Sequence, residues 1–117
     1  MKIEKFEDLE VWKISMNLSV LIYRVFKNCR DFGLKDQVQR ASVSIPSNIA
    51  EGFDRKSNKE YIYFLYIAKG SCSELRTQIY LAREVGIIEK KKAEEFIETT
   101  RKVSAMIYRL IQSRKQF

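Results

Sequence analysis

Lys69, Arg76, Arg83 and Lys90 recur at intervals of seven. A seven-residue step returns to nearly the same side of an α-helix, so the first three cations line one edge of it. A row of fixed positive charge is what neutralises a phosphate backbone. Lys90 lies beyond Gly86, a helix-stop residue, so its place in the row depends on where that helix ends. A second basic group, Arg101, Lys102, Arg109, Arg114 and Lys115, has no acidic residue after Glu98 to offset it, and Arg55, Lys56 and Lys59 form a third. The plain alternative is a solvated surface with ion pairs to Glu74, Glu84 or Glu94, each worth about 0–1 kcal/mol. The net charge of +7 weighs toward an acidic partner, of which nucleic acid is the commonest.

Catalytic chemistry is poorly provided for. The chain has no histidine, which removes the usual general base near neutral pH and the commonest metal ligand. Ser–His–Asp and Cys–His arrangements are therefore excluded. Cys29 and Cys72 are far apart and have no metal-ligand spacing around them, so both read as small apolar residues. Glu51 with Glu60 or Glu74 could form a carboxylate pair, but no nucleophile stands in a matching position. No glycine-rich phosphate loop is present. The expectation is a protein that is not an enzyme, with no cofactor, no metal and no small-molecule substrate.

These residues must be carried by helices. Gly is 4 and Pro is 1 among 117 residues, too little turn chemistry for a β protein. The 45% apolar content is enough for one domain to fill its own core, so residues 1–117 are read as a single domain. Helix one is predicted from about Glu7 to Cys29, with stripes Val11, Ile14, Leu18, Leu21, Val25 and Leu9, Trp12, Met16, Tyr23, Phe26; Gly33 marks the break after it. Helix two is predicted from about Leu34 to Phe53, helix three from the Ser57-to-Glu60 capping box to Gly86, and helix four from about Glu89 to Arg114. In helix three, Tyr61, Leu65, Ala68, Cys72, Leu75, Ile79 and Ala82 alternate steps of four and three, a heptad seam. In helix four, Ala93, Phe96, Thr100, Val103, Ile107 and Leu110 do the same. Four long helices with short connections imply an all-α, antiparallel up-down-up-down four-helix bundle.

Helix two is unusual. Ser44-Ile-Pro-Ser-Asn-Ile-Ala-Glu-Gly52 places Pro46 inside a helical apolar spacing that runs Leu34, Val38, Ala41, Ile45, Ile49, Phe53. A kink near Pro46 is expected, with small residues allowing close packing and with Asn48 and Glu51 meeting backbone groups freed by the proline. This segment, together with Gln37 and Arg40-Ala41-Ser42, resembles the intervening-sequence proteins encoded inside bacterial 23S ribosomal RNA genes, also described as four helix bundle proteins. Two further runs agree: Phe6, Asp8-Leu9, Val11-Trp12, and Ser57, Lys59-Glu60-Tyr61, Phe64-Leu65, Ile67-Ala68, Gly70-Ser71, Glu74-Leu75. The resemblance implies that Ser44, Pro46, Asn48, Glu51, Gly52, Ser57 and Glu60 are structural, and it implies a ring-shaped homopentamer. It also includes a basic accessory protein of diversity-generating retroelements, which engages nucleic acid and a reverse transcriptase.

Helix three carries more apolar surface than one bundle face requires: Tyr63, Tyr66, Ile67, Tyr80 and Leu81 lie outside its seam. Excess of this kind marks an interface, and self-association is the expectation, placed ahead of crowded packing in a small bundle and of these tyrosines stacking on nucleic-acid bases. The functional expectation is an oligomer binding RNA or a ribonucleoprotein through Lys69, Arg76, Arg83, Lys90, Arg101, Lys102, Arg109, Arg114 and Lys115. The alternative is a scaffold or adaptor that holds another protein on the apolar faces of helices one and three. The N-terminal Met1-Lys-Ile-Glu-Lys-Phe has no apolar h-region, and the longest apolar run, Tyr61 to Ala68, is far short of the roughly 20 residues a membrane span needs. A cytoplasmic location follows as an expectation.

Overall fold

The computed structural model describes residues 2–117. A short 3₁₀ turn, Phe6–Asp8, leads into four helices: α1 (Glu10–Val25), α2 (Phe32–Phe53), α3 (Asn58–Glu84) and α4 (Lys90–Arg114). No strand occurs among the described residues, and the molecule is an all-α four-helix bundle extending 46 × 22 × 19 Å. Contacts join each helix to the next and α4 back to α1.

Caps explain most boundaries. Asp31 accepts a hydrogen bond from the Leu34 amide at 3.0 Å, so α2 begins earlier than expected and Gly33 lies in its first turn rather than in a break. Ser57 Oγ accepts from the Glu60 amide at 3.1 Å, as its sequence suggests, while the Glu60 carboxylate takes the Ser57 hydroxyl at 2.9 Å. At the end of α3, Gly86 adopts φ +79, where a side chain would be strained. There Gly86 N donates to Arg83 O at 3.1 Å and Ile87 N to Ala82 O at 2.9 Å, the paired bonds of a Schellman stop. Helix one is shorter than expected, because extended Leu9 separates it from the 3₁₀ turn and Phe26 ends it. The first turn of α4 is Lys90, Lys91 and Lys92, of which Lys92 is matched by Glu95 at 3.2 Å.

The inner face of α3 is the predicted seam, buried from Tyr61 to Ala82. Opposite it lie Val38, Ile45 and Ile49 of α2 and Val103, Ile107 and Ile111 of α4, all with no exposed surface. Each fully buried Ile or Leu contributes about 1.5–3 kcal/mol. The inner face of α1 differs from both predicted stripes. It consists of Val11, Ser15, Leu18, Ser19 and Ile22, while Met16, Leu21, Tyr23 and Val25 stay exposed.

Ser15 Oγ donates within its own helix to Trp12 O at 3.1 Å, whereas the reason for burying Ser19 lies in α2. Pro46 sits within the continuous helix and has no amide for the Ser42 carbonyl four residues back. Ser19 Oγ reaches across from α1 and donates to that carbonyl at 2.7 Å. The expected partners do other work. Asn48 Nδ2 donates to Ser44 O at 2.8 Å and Ser44 Oγ at 2.9 Å, and Glu51 holds Arg55 at 2.6 Å. Ser44 Oγ in turn meets Ser71 Oγ of α3 at 2.8 Å, and Ser71 donates to Ile67 O at 3.2 Å. All these bonds are satisfied if the protons run one way, from Asn48 through Ser44 and Ser71 to Ile67.

Ser19→Ala will strand the Ser42 carbonyl, and urea unfolding will show a loss of about 1–3 kcal/mol. In a Pro46→Ala background a new amide serves that carbonyl, so the same Ser19→Ala change will cost less than about 1 kcal/mol. Equal costs in both backgrounds would mean that the hydroxyl has another role.

Near its end α2 approaches α3 more closely still. A Cβ on Gly52 would stand 2.8 Å from Phe64 Cβ and 3.2 Å from the Tyr61 carbonyl oxygen. The pairings Ser44 with Ser71 and Gly52 with Phe64 climb one helix as they descend the other.

Candidate nucleic-acid interface

Heptad spacing places Lys69, Arg76 and Arg83 beside the buried seam of α3, on the side that faces α4. From α4, Arg101, Tyr108 and Arg109 rise along the facing edge at helical spacing. Lys69, Arg76, Arg101, Tyr108 and Arg109 line one shallow groove of about 450 Å³ between the two helices. Arg76 is held in place: its Nε donates to Thr100 Oγ1 at 2.9 Å, and the fully buried Thr100 donates in turn to Ile97 O at 2.7 Å. This bond fixes the guanidinium plane and leaves the terminal nitrogens for an anion. Among the described residues, Lys69, Arg76 and Arg109 have no carboxylate within ion-pair distance.

The face continues in both directions. Toward the end of α3, Arg101 donates to Tyr80 Oη at 3.0 Å while Arg83 lies 5.0 Å from the Tyr80 ring centre. Two carboxylates temper the charge here, with Glu84 at 3.1 Å from Arg83 and Glu98 at 3.6 Å from Arg101. Toward the start of α3, Lys115 lies over the Tyr66 ring at 5.5 Å. Tyr66 and Tyr80, read from sequence as parts of an apolar interface, thus stand among cations. Tyr63 packs edge-on against Phe64 at 5.3 Å, Leu81 is exposed and Ile67 is half-buried.

Three of the predicted cations lie elsewhere. Lys102 lines a different groove, between α1 and α4, with Lys13 and Asn17. Lys90 is exposed at the first residue of α4. Arg114 closes the bundle end: its Nε donates to Asn58 Oδ1 at 2.8 Å, Asn58 Nδ2 donates to the Arg114 carbonyl at 2.6 Å, and its guanidinium lies 5.1 Å from the Tyr61 ring. Burial pushes the Tyr61 phenol up to about 12, against the pull of Arg114.

The remaining candidate chemistry is structural. Glu51 and Glu60 flank Arg55 at 2.6 and 3.9 Å, so their carboxylates are engaged by one guanidinium. Cys72 is fully buried, and desolvation pushes its thiol up to about 12 although Arg76 and Lys69 pull it down. A thiol in that state is protonated and packs as a small apolar group. No cluster of three metal-ligating side chains occurs among the described residues, and no helix among them is long and apolar enough to cross a membrane.

A second concave surface is apolar. Phe6, Trp12, Met16, Tyr23, Val43 and Pro46 line a groove of about 620 Å³ between α1 and α2. Neither Val43 nor Phe6 stood out in the sequence as a surface residue. Tyr108 was equally hidden in the basic face, although it falls seven residues after Arg101 and next to Arg109, a spacing that shares their edge. Thr100 is buried in the predicted α4 seam, and its hold on Arg76 is what the sequence did not show.

Residues 7–109 match the family model described as 23S rRNA-intervening sequence protein. A crystal structure from Bacteroides thetaiotaomicron, described as a protein with unknown function from the S23 ribosomal protein family, has the same fold. It aligns with a TM-score of 0.82 at 22% identity, over 86% of this chain and 97% of that one. No curated protein matches the chain.

Proposed function

The chain belongs to the 23S rRNA-intervening sequence protein family, and from that premise we propose that it is a non-enzymatic, self-associating bundle that binds RNA or a ribonucleoprotein through its α3–α4 face. The observation that carries this reading is the convergence of Lys69, Arg76, Arg101 and Arg109 on one groove, three of them without a carboxylate partner. Charges scattered for solubility alone would be interspersed with acids. The reading implies a bacterial cytoplasmic protein. Self-association is supported by the α1–α2 groove, where Met16, Tyr23 and Val43 are exposed. Copies joined around an axis would repeat the basic face, and their fields would add. The number five rests on the resemblance alone.

Titration of labelled RNA against the protein across a salt series tests the binding. Four phosphate contacts on a single strand give a slope near −2.8 in log K against log salt, roughly a 50-fold loss between about 50 and 200 mM. Absence of binding at about 50 mM would sink the proposal. The same apolar groove also supports a second reading, a scaffold that holds a different protein. Light scattering on the same samples separates them. A multiple of the 13.9 kDa chain mass is expected if copies fill the groove, and a single-chain mass favours the scaffold.

A further inference from the structure

We infer that the nucleic acid held on the α3–α4 face is single-stranded, with one unpaired base stacked on the Tyr108 ring and its neighbouring phosphates held by Lys69, Arg76 and Arg109. This inference rests on the proposed RNA binding and specifies its substrate. The tyrosines of the face are not equivalent. Arg83 lies over Tyr80 and Lys115 over Tyr66, so the protein's own cations occupy those rings. Among the described residues no cation covers Tyr108, which is 52% exposed and lines the basic groove. It is the aromatic surface left open where the unpaired positive charge is concentrated.

The chemistry of the groove distinguishes strand types. A duplex needs phosphate contacts but hides its base faces in the stack, and an A-form major groove is too deep and narrow for side chains to enter. A tyrosine ring set among phosphate-binding cations adds little to duplex affinity. A flexible single strand can turn one base onto the ring while its backbone follows the cations on either side, the pairing of stacking platform and charged track that single-strand binders use. Every base has a stacking face, so recognition here is of strandedness rather than sequence. Thr100 strengthens the case, because a guanidinium fixed by a buried hydroxyl presents its free nitrogens in one direction.

Fluorescence anisotropy with labelled oligouridine of about 10 nucleotides, and with an RNA duplex of the same length, tests this at about 50 mM salt. The single strand is expected to bind at least about tenfold more tightly than the duplex. Tyr108→Ala is expected to weaken single-strand binding roughly tenfold to a hundredfold and to leave duplex binding unchanged, while Tyr108→Phe keeps the affinity. Tyr108 is half-exposed, and an unchanged circular dichroism melt will show that the alanine variant is folded. Duplex binding as tight as single-strand binding, with no effect of Tyr108→Ala, would overturn the stacking assignment and leave RNA binding itself standing. No binding of either probe would overturn both.

Discussion

Gly52→Ala will lower the unfolding free energy by about 1–3 kcal/mol, and Gly70→Ala will raise it by up to about 1 kcal/mol. Both glycines lie inside α-helices, where alanine gains about 0.8–1 kcal/mol from reduced backbone entropy of the unfolded chain. Their surroundings decide the sign. A methyl group on Gly70 meets nothing within 4 Å, so the propensity gain is realised in full. A methyl group on Gly52 meets Phe64 Cβ at 2.8 Å and the Tyr61 carbonyl at 3.2 Å. Neither atom is the free end of a flexible side chain. The helices must therefore separate, and separation loosens the Ser44–Ser71 contact and the edge-on packing of Tyr61 against Phe53. Urea unfolding of the two variants beside the parent measures both effects. A neutral or stabilising Gly52→Ala would mean that α2 and α3 are not in close backbone contact.

Reversing Lys69 and Arg109 together to Glu will weaken RNA binding on the order of 100-fold at about 50 mM salt and will flatten the salt slope by about 1.4. Neither side chain makes an ion pair or a side-chain hydrogen bond among the described residues, so thermal stability should move little. The slope separates local contact from bulk charge. Two lost phosphate contacts each remove about 0.7 from it on a single strand, whereas a general drop in net charge weakens affinity without removing specific contacts. Lys102→Glu is the control. It lines the α1–α4 groove, away from this face, and should change affinity by less than about threefold once salt screening is at the 10 Å scale. Equal losses for Lys102→Glu and for either groove cation would show that RNA contacts the bundle without regard to face.

Much of this architecture is legible in the chain because strong local rules agree with the global packing. The α3 seam is an unbroken heptad of apolar residues, Ser57 and Gly86 mark its ends, and the structure follows all three. The inward face of α1 was not legible for a definite reason. Ser15 and Ser19 are hydrophilic residues at core positions, and their neighbours Met16, Tyr23 and Val25 are apolar residues at the surface. The missing amide of Pro46, on another helix, explains why the Ser19 hydroxyl belongs inside, while Ser15 is served by the Trp12 carbonyl of its own helix. In the basic set, charge and spacing located Lys69, Arg76, Arg101 and Arg109 but could not separate them from Arg114, since a guanidinium suits Asn58 and Tyr61 of its own chain as well as a phosphate. Lys102 follows Arg101 directly, and one residue is enough to turn a side chain toward a different neighbour on a helix.

The Ser19 bond to the Ser42 carbonyl also bears on how the chain reaches this structure. While α2 is in water, solvent serves the carbonyl that Pro46 leaves bare. Exclusion of water on docking of α1 changes that, and a hydroxyl must then stand where water has left; Ser19 supplies it, with Ser15 one turn before it on the same face. A collapsed chain with α1 out of step buries an unserved acceptor and is less stable by about 1–3 kcal/mol. Greasy helix faces tolerate many near-alignments, and a proline with its distant serine disfavours those that leave the carbonyl unserved. The pair therefore penalises misdocked arrangements that leave the carbonyl bare, which apolar contact alone would accept.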